Sequence, residues 1–400
     1  MGMEQIGAIN ARIHTLYQDI TNKAAGAKTK KDGGDVEAGT GTQAGATLTN
    51  EEQPPGPVTH KCRVLFDATA CPQDIAYPTD LGLLSEAREK SQELIDVIYE
   101  KALHLNKPRT YRKEARKEFL KIAQKKNKSR KEIRKGVGKQ LRYLARNLRS
   151  LDKLLDKCDQ SPLDQRQQKY LMVIHRLYQQ QKEMFDARRH SVEDRIVSIH
   201  QPHVRPIVRG KTNAKVEFGA KVHISLVDGY AFLDEISWDA FNEGSHLSAY
   251  VEQYRQRFGY YPKEVLADQI YWSRKNRTYL KGKGIRLLAK PLGRPSAVDK
   301  EHVRPGERNP VEGKFGQAKT AYGLNNIRAR LKGTSESWIA CIFLVLNLVK
   351  LAGIAPLCIV VKITDQSFSA IAPDVAKLKQ MCQTWLAHLL YDEKYPCLAL

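Results

Sequence analysis

The sequence predicts an α/β protein with a large helical block inserted after its first strand. Three observations carry this. The apolar run Arg63-Val64-Leu65-Phe66-Asp67-Ala68-Thr69 fits a buried strand. Residues 81–190 then repeat apolar side chains at helical spacing, beginning with Leu83, Leu84, Ala87, Leu94, Ile95 and Ile98. Beyond them Val216, Phe218, Ala220, Val222, Ile224 and Leu226 alternate with Glu217, Gly219, Lys221, His223 and Ser225. Period two is the mark of a strand with one buried face.

Taken in order, residues 3–22 read as a short amphipathic helix with Ile6, Ile9, Ile13, Leu16 and Ile20 on one face. It begins abruptly, as the remnant of a larger N-terminal domain would. Residues 23–60 hold almost no large apolar side chain, too few to offset ordering entropy, and are expected to be a disordered linker. The folded domain is expected over 61–352, with its helical insertion over about 81–195 and a C-terminal segment over 353–400. Thr79 or Asp80 caps the first inserted helix. Asp228-Gly229 signals a type I′ hairpin into a strand bearing Phe232, Ile236 and Trp238. His246–Phe258 is an amphipathic helix stopped by Gly259. A short strand over 264–268, a helix over 272–281 and a strand over 285–289 follow. Asn309-Pro310 opens a long helix, with Asn309 as its cap and Pro310 in the first helical position. The apolar stretch 338–361 contains Asn347, Lys350, Gly353 and Pro356, which argues for a buried helix ending near Gly353–Pro356 rather than a membrane span. Asn347 and Lys350 are expected toward solvent or a polar partner.

The 400 residues are 42% apolar and carry a formal net charge of +22. That excess argues for a polyanionic partner. Residues 106–149 alone hold 18 Lys and Arg against 3 Glu. Within it, Lys125, Lys126, Lys128, Arg130 and Lys131 form the densest cluster and are expected to grip phosphates without reading sequence. The bland alternative is a solvated charged helix. Seven scattered cysteines form no zinc spacing, and His200, His203, His223 and His246 form no ligand pattern. A reduced, cytosolic chain follows. Lys281-Gly282-Lys283-Gly284 lacks the spacing of a phosphate-binding loop and reads as a basic turn.

Three carboxylates fall at strand ends or helix starts: Asp67 in the first strand, Asp268 after Val265-Leu266-Ala267, and Glu312 in the first turn of the long helix. Hard divalent cations take such oxygens, with Mg²⁺ using one or two carboxylates plus substrate phosphate. Each residue also has an ordinary structural role open to it. Glu312 fits a capping box with Asn309, Asp268 fits a turn start, and Asp67 needs a partner because a lone buried charge is costly.

The segments FDATACPQDIAYPTDLGLLSEAREK around Asp67, VLADQIYWSRKNRTYL around Asp268, and Arg308-Asn-Pro-Val-Glu312-Gly-Lys-Phe-Gly-Gln-Ala-Lys319 resemble the bacterial insertion-sequence DDE transposases, in particular the insertion-sequence-five-like branch. The third block of that family runs Tyr, two residues, Arg, three residues, Glu, six residues, Lys. Arg308, Glu312 and Lys319 match it, and Pro305 stands at the tyrosine position. The resemblance spans about residues 62 to 352 and implies an RNase H-like mixed sheet with a helical insertion after the first strand. It implies that Asp67, Asp268 and Glu312 are catalytic and bind a pair of Mg²⁺ ions, for which Mn²⁺ substitutes. Arg308 and Lys319 would contact transposon-end DNA. The expected function is metal-dependent cleavage at transposon ends and strand transfer into target DNA. Double-stranded DNA is the partner, the chain is a homo-oligomer on DNA, and no membrane is involved. The location is cytoplasmic, at the nucleoid. Members of that family usually begin with a helical N-terminal domain, so the resemblance leads to the expectation of an N-terminally truncated copy. The rival readings are an inactive truncated copy that only binds DNA and an RNase H-like nuclease.

Overall fold

Strand β1 (His60–Pro72) lies inside a mixed sheet, between one parallel and one antiparallel neighbour. The computed structural model describes residues 2–29, 60–101, 106–208, 216–290 and 306–353. β5 (Tyr261–Leu266) runs parallel to β1, and β6 (Arg286–Leu288) extends that side. β3 (Val216–Val227) pairs antiparallel on the other side. β2 (Arg205–Val208) and β4 (Tyr230–Ser237) both pair with β3, β2 along Val216–Gly219 and β4 along Lys221–Val227. The β3–β4 turn puts Asp228 at φ 51° and Gly229 at φ 78°, the two positive values a type I′ turn needs. β2 has no signature in the sequence: four residues at an edge, with a proline among them, give no periodicity.

Between β1 and β2 stand α2 (Asp80–Lys101), α3 (Arg112–Ala123), α4 (Arg130–Leu155) and α5 (Gln165–Asp186). Thr79 starts α2, its hydroxyl accepting from Gly82 N at 3.1 Å. Ser129–Glu132 and Asp164–Gln167 form reciprocal capping boxes on α4 and α5. The block has its own core, with Leu84, Ile95, Leu144, Leu151, Ile174 and Leu177 all fully buried. Arg88 is buried there at 1% exposure, and its guanidinium donates to Gln140, Gln92, Ser85 and Glu89. Such saturation is what makes a buried cation tolerable.

α6 (Leu247–Phe258) ends at Gly259, whose φ of 79° closes the helix. α7 (Arg274–Gly282), α8 (Asn309–Ala321) and α9 (Lys332–Ala352) follow. The connection between α8 and α9 is tied to the end of β1: Ile327 N donates to Pro72 O and Asp74 N to Ile327 O, both at 2.9 Å. Gln73 reaches Ala329 O and Ser335 Oγ from the same place.

The chain divides into two units, one of residues 1–11 and 46–344, the other of 12–45 and 345–400. In the second, Lys350 lies over the Tyr17 ring at 5.9 Å. α9 is long and apolar enough to cross a membrane, and half of its apolar stretch is buried.

Several expectations need correction. α1 (Met3–Thr29) continues past residue 22, because the Ala-rich sequence after Lys23 favours helix. Most of the expected linker and the segment after Gly353 lie outside the described residues, as does Pro305. Asn347 is fully buried, so of its two expected surroundings, solvent or a polar partner, solvent is excluded. The cap of α8 is Arg308, not Asn309, so Pro310 sits one position further in. The parallel strand stops at Leu266, leaving Asp268 beyond it.

Candidate active site

Leu65 pairs with Leu266 at the end of the parallel β1–β5 register. Asp67 and Asp268 each stand two residues beyond that pair, Asp67 still within β1 and Asp268 past the end of β5. Their environments differ. The Asp67 side chain is 18% exposed and that of Asp268 is 59% exposed. Asp67 Oδ1 accepts from Ala68 N at 2.9 Å, and Asp268 Oδ1 accepts from Gln269 N at 2.7 Å. The second contact caps the 3-10 turn Gln269–Tyr271.

Arg308 joins the two. Its guanidinium reaches Asp67 Oδ2 at 3.0 Å and Asp268 Oδ1 at 3.2 Å. The carboxyl of Asp67 is nevertheless held above its usual range. Burial raises it most, Arg308 and the Ala68 N–H oppose that, and the charges of Asp268 and Glu243 push it up again.

Glu312 lies one turn into α8, where its N–H donates to Arg308 O at 3.3 Å. Its side chain is exposed. Lys319 lies in the last turn, half-buried, roughly 10 Å further along the helix axis. Among the described residues no three His, Cys, Asp or Glu side chains stand close enough together to hold one ion. The donor set of Asp67 and Asp268 still suits a hard cation. Two carboxylates already converge on one positive group, and Mg²⁺ asks for one or two protein carboxylates. A cation there would take the place of the Arg308 guanidinium.

Glu243 escaped the sequence reading. It opens the 3-10 turn Glu243–His246 and is ion-paired with Lys221 of β3. Only its position after β4, in Phe241-Asn242-Glu243-Gly244, could have marked it, because a 3-10 turn leaves no periodicity.

The basic cluster sits at the tip of the α3–α4 hairpin, not along a helix face. Lys125, Lys126 and Lys128 occupy the turn, and Arg130 and Lys131 begin α4, all exposed. Lys125 pairs with Glu132 at 2.5 Å and Lys128 donates to Ala123 O at 2.9 Å. The histidines are held by structure. His223 Nδ1 lies 3.0 Å from the buried Asp234, His246 pairs with Glu235, and His200 with Glu86. His203 meets the Trp238 ring edge-on at 4.3 Å.

No curated protein and no solved structure matches the chain. Residues 265–349 match the family model of the transposase DDE domain, a span that contains Asp268, Arg308, Glu312 and Lys319 and leaves Asp67 outside it. The match supports a DDE transposase, an enzyme of the transposase kind whose family implies DNA as substrate.

Proposed function

We propose that this chain is a DNA transposase that cleaves at transposon ends and joins the resulting 3′-hydroxyl to target DNA. Its core is RNase H-like over residues 61–352, carrying the helical insertion of about 81–195. The strand order β4-β3-β1-β5-β6, with three antiparallel strands followed by two parallel ones, supports that core. The observation that carries the function is the shared guanidinium: Asp67 and Asp268, from separate parts of the chain, converge on Arg308.

Asp67 and Asp268 would hold Mg²⁺ or Mn²⁺, with Glu312 joining from α8. Bound divalent cations supply activation of the attacking oxygen and stabilisation of the leaving oxygen in an in-line displacement. The chain itself provides position and charge. Burial keeps Asp67 poorly solvated, so its charge acts at close range. Arg308, once released from the aspartates, would take a phosphate of the transposon end, and Lys319, further along the same helix, would take another. The tip residues Lys125, Lys126, Lys128, Arg130 and Lys131 would hold flanking phosphates; among the described residues Lys125 is paired with Glu132, whereas Lys126, Arg130 and Lys131 make no ion pair.

The test is cleavage of DNA carrying the transposon ends with and without Mg²⁺, then transfer to a second duplex. Wild type should cleave and join, and Asp67→Asn and Asp268→Asn should bind DNA without cutting. Cleavage without transfer would favour a nuclease. Among the described residues Glu312 does not join Asp67 and Asp268 in a three-carboxylate cluster, which favours a second reading, a copy that only binds DNA; binding with no metal-dependent cutting would establish that one.

A further inference from the structure

A groove opens between α7 and β6, the strand that ends the sheet on that side. Its volume is about 380 Å³, within the range of pockets that hold a small ligand. Leu280 and Ile285, both buried, line it with apolar carbon.

Local sequence builds it. Ser273 caps α7, its hydroxyl accepting from Asn276 N at 3.2 Å. Trp272 stands just before that cap and Arg277 one turn after it, the two positions that staple a helix start. Here the staple is a cation over a ring: the Arg277 guanidinium lies 5.4 Å from the centre of the Trp272 ring. At the other end of α7, Gly284 at φ 69° turns the chain, and Ile285 N donates to Leu280 O at 2.9 Å. That turn leads into β6 and leaves the groove beside the helix.

The lining holds three cations, Arg277, Lys281 and Arg286, and no acidic side chain. Arg286 is engaged with Glu264 of β5 at 3.3 Å. Arg277 and Lys281 are exposed and make no ion pair among the described residues. α7 itself carries Arg274, Lys275, Arg277 and Lys281 without an acidic residue. A half-buried indole, apolar carbon and two exposed cations suit a ligand that joins a flat ring to a negative charge, as a nucleotide does. A duplex offers a protein its phosphates and base edges, and would leave the indole idle. In a single strand every base has a free π face. The groove also adjoins the turn at Asp268: Trp272 N donates to Gln269 O at 3.0 Å, and Gln269 N donates to Asp268 Oδ1 at 2.7 Å.

We propose that this groove holds an unpaired nucleotide of the DNA strand at Asp268, its base stacked on the Trp272–Arg277 pair and its phosphates on Arg277 and Lys281. This deepens the transposase reading, because the strand held there is one opened beside the point of cleavage. It rests on DNA as the substrate and not on the cation chemistry at Asp67 and Asp268.

The experiment is fluorescence anisotropy of the full chain with labelled oligonucleotides of about twelve nucleotides, within the site size of a single-strand groove. Three probes are used: a single strand, an abasic strand of the same length, and a duplex. Wild type should bind the single strand about tenfold more tightly than the abasic one, which has the same phosphates and no rings. Trp272→Ala should lose that preference, Trp272→Phe should keep most of it, and neither should alter duplex affinity. Replacing Arg277 and Lys281 together by Gln should lower the single-strand salt slope by about 1.4. Both are exposed, so this variant guards against a Trp272→Ala protein that fails to fold. Equal wild-type affinity for the intact and abasic strands overturns the proposal, as does an unchanged salt slope. A wild-type preference in Trp272→Ala also overturns it, and so does an equal loss on the duplex, which would mark Trp272 as merely structural. If any of these comes with metal-dependent cleavage of transposon-end DNA, only this proposal falls. A chain that binds none of the three probes takes the transposase reading down with it.

Discussion

The Arg308 guanidinium reaches Asp67 Oδ2 at 3.0 Å from the cap of α8, and this contact ties the helix to the central strand of the sheet. Without it, a poorly solvated carboxylate faces Asp268 and Glu243 with no opposing charge from α8. Arg308→Gln should therefore cost about 1–3 kcal/mol at neutral pH, between the values for exposed and for fully buried pairs, because Asp268 is more than half open to solvent. Urea unfolding at pH 7 and pH 4 checks this: the loss should shrink at pH 4. A loss equal at both pH values would mean that Arg308 acts by packing alone.

Asp67 gives a pH signature of known sign. Its folded carboxyl is raised, so the folded chain keeps this proton to higher pH than the unfolded chain. Its stabilising contribution is full below the ordinary carboxylate range and is lost as pH rises through the raised value. Asp67→Asn removes that loss. In thermal melts of the cation-free protein, the variant's Tm should fall less between pH 4 and pH 7 than that of wild type. Parallel pH profiles would contradict the assigned shift.

His203 behaves in the opposite sense. Burial first, then Lys169, Lys332 and Arg205, push its imidazole down to about 4. A depressed histidine stabilises the fold above its unfolded value near 6.5, and that contribution is lost as pH falls through about 4. His203→Phe keeps a ring against Trp238 and cannot be protonated. It should resist acid better than wild type between pH 6.5 and 4. Identical acid transitions would show that His203 is not the group responsible.

The hairpin tip makes a prediction about salt. If about six cations of the basic block meet phosphates, log K should fall against log salt with a slope of about −5. Lys125 and Lys128 have partners inside the protein, so Lys126, Arg130 and Lys131 should carry most of the effect. Replacing those three by Gln should flatten the slope by about 2 to 3 and weaken all DNA sequences alike. An unchanged slope would place the DNA path elsewhere.

Gly244 is a sharper probe of the site's frame. Gly244→Ala forces a methyl group to within 2.4 Å of Ile270 O, which is backbone and cannot swing away. The two turns must separate, at about 1–3 kcal/mol. Chemical denaturation would measure this, and a change below about 0.5 kcal/mol would show that the turns yield freely.

Local pattern determined the succession of elements along the chain from β3 onward and the helical block after β1, and it marked three carboxylates at strand ends and a helix start. Period-two alternation in Val216–Leu226, the Asp228-Gly229 turn and the Leu and Ile stripes of α2 are written within a few residues of where they act. Tertiary structure alone decided the rest. Arg308 is 241 residues from Asp67 in the chain, and only the parallel register of β1 with β5 and the tether at Ile327 bring them together. The turn Glu243–His246 packs on the turn after Asp268, and short turns carry no repeating pattern to announce their partners. Periodicity reports which face of an element is buried. It carries no information about which distant charge will share that face, because ion pairs and turn contacts are set by where whole elements come to rest.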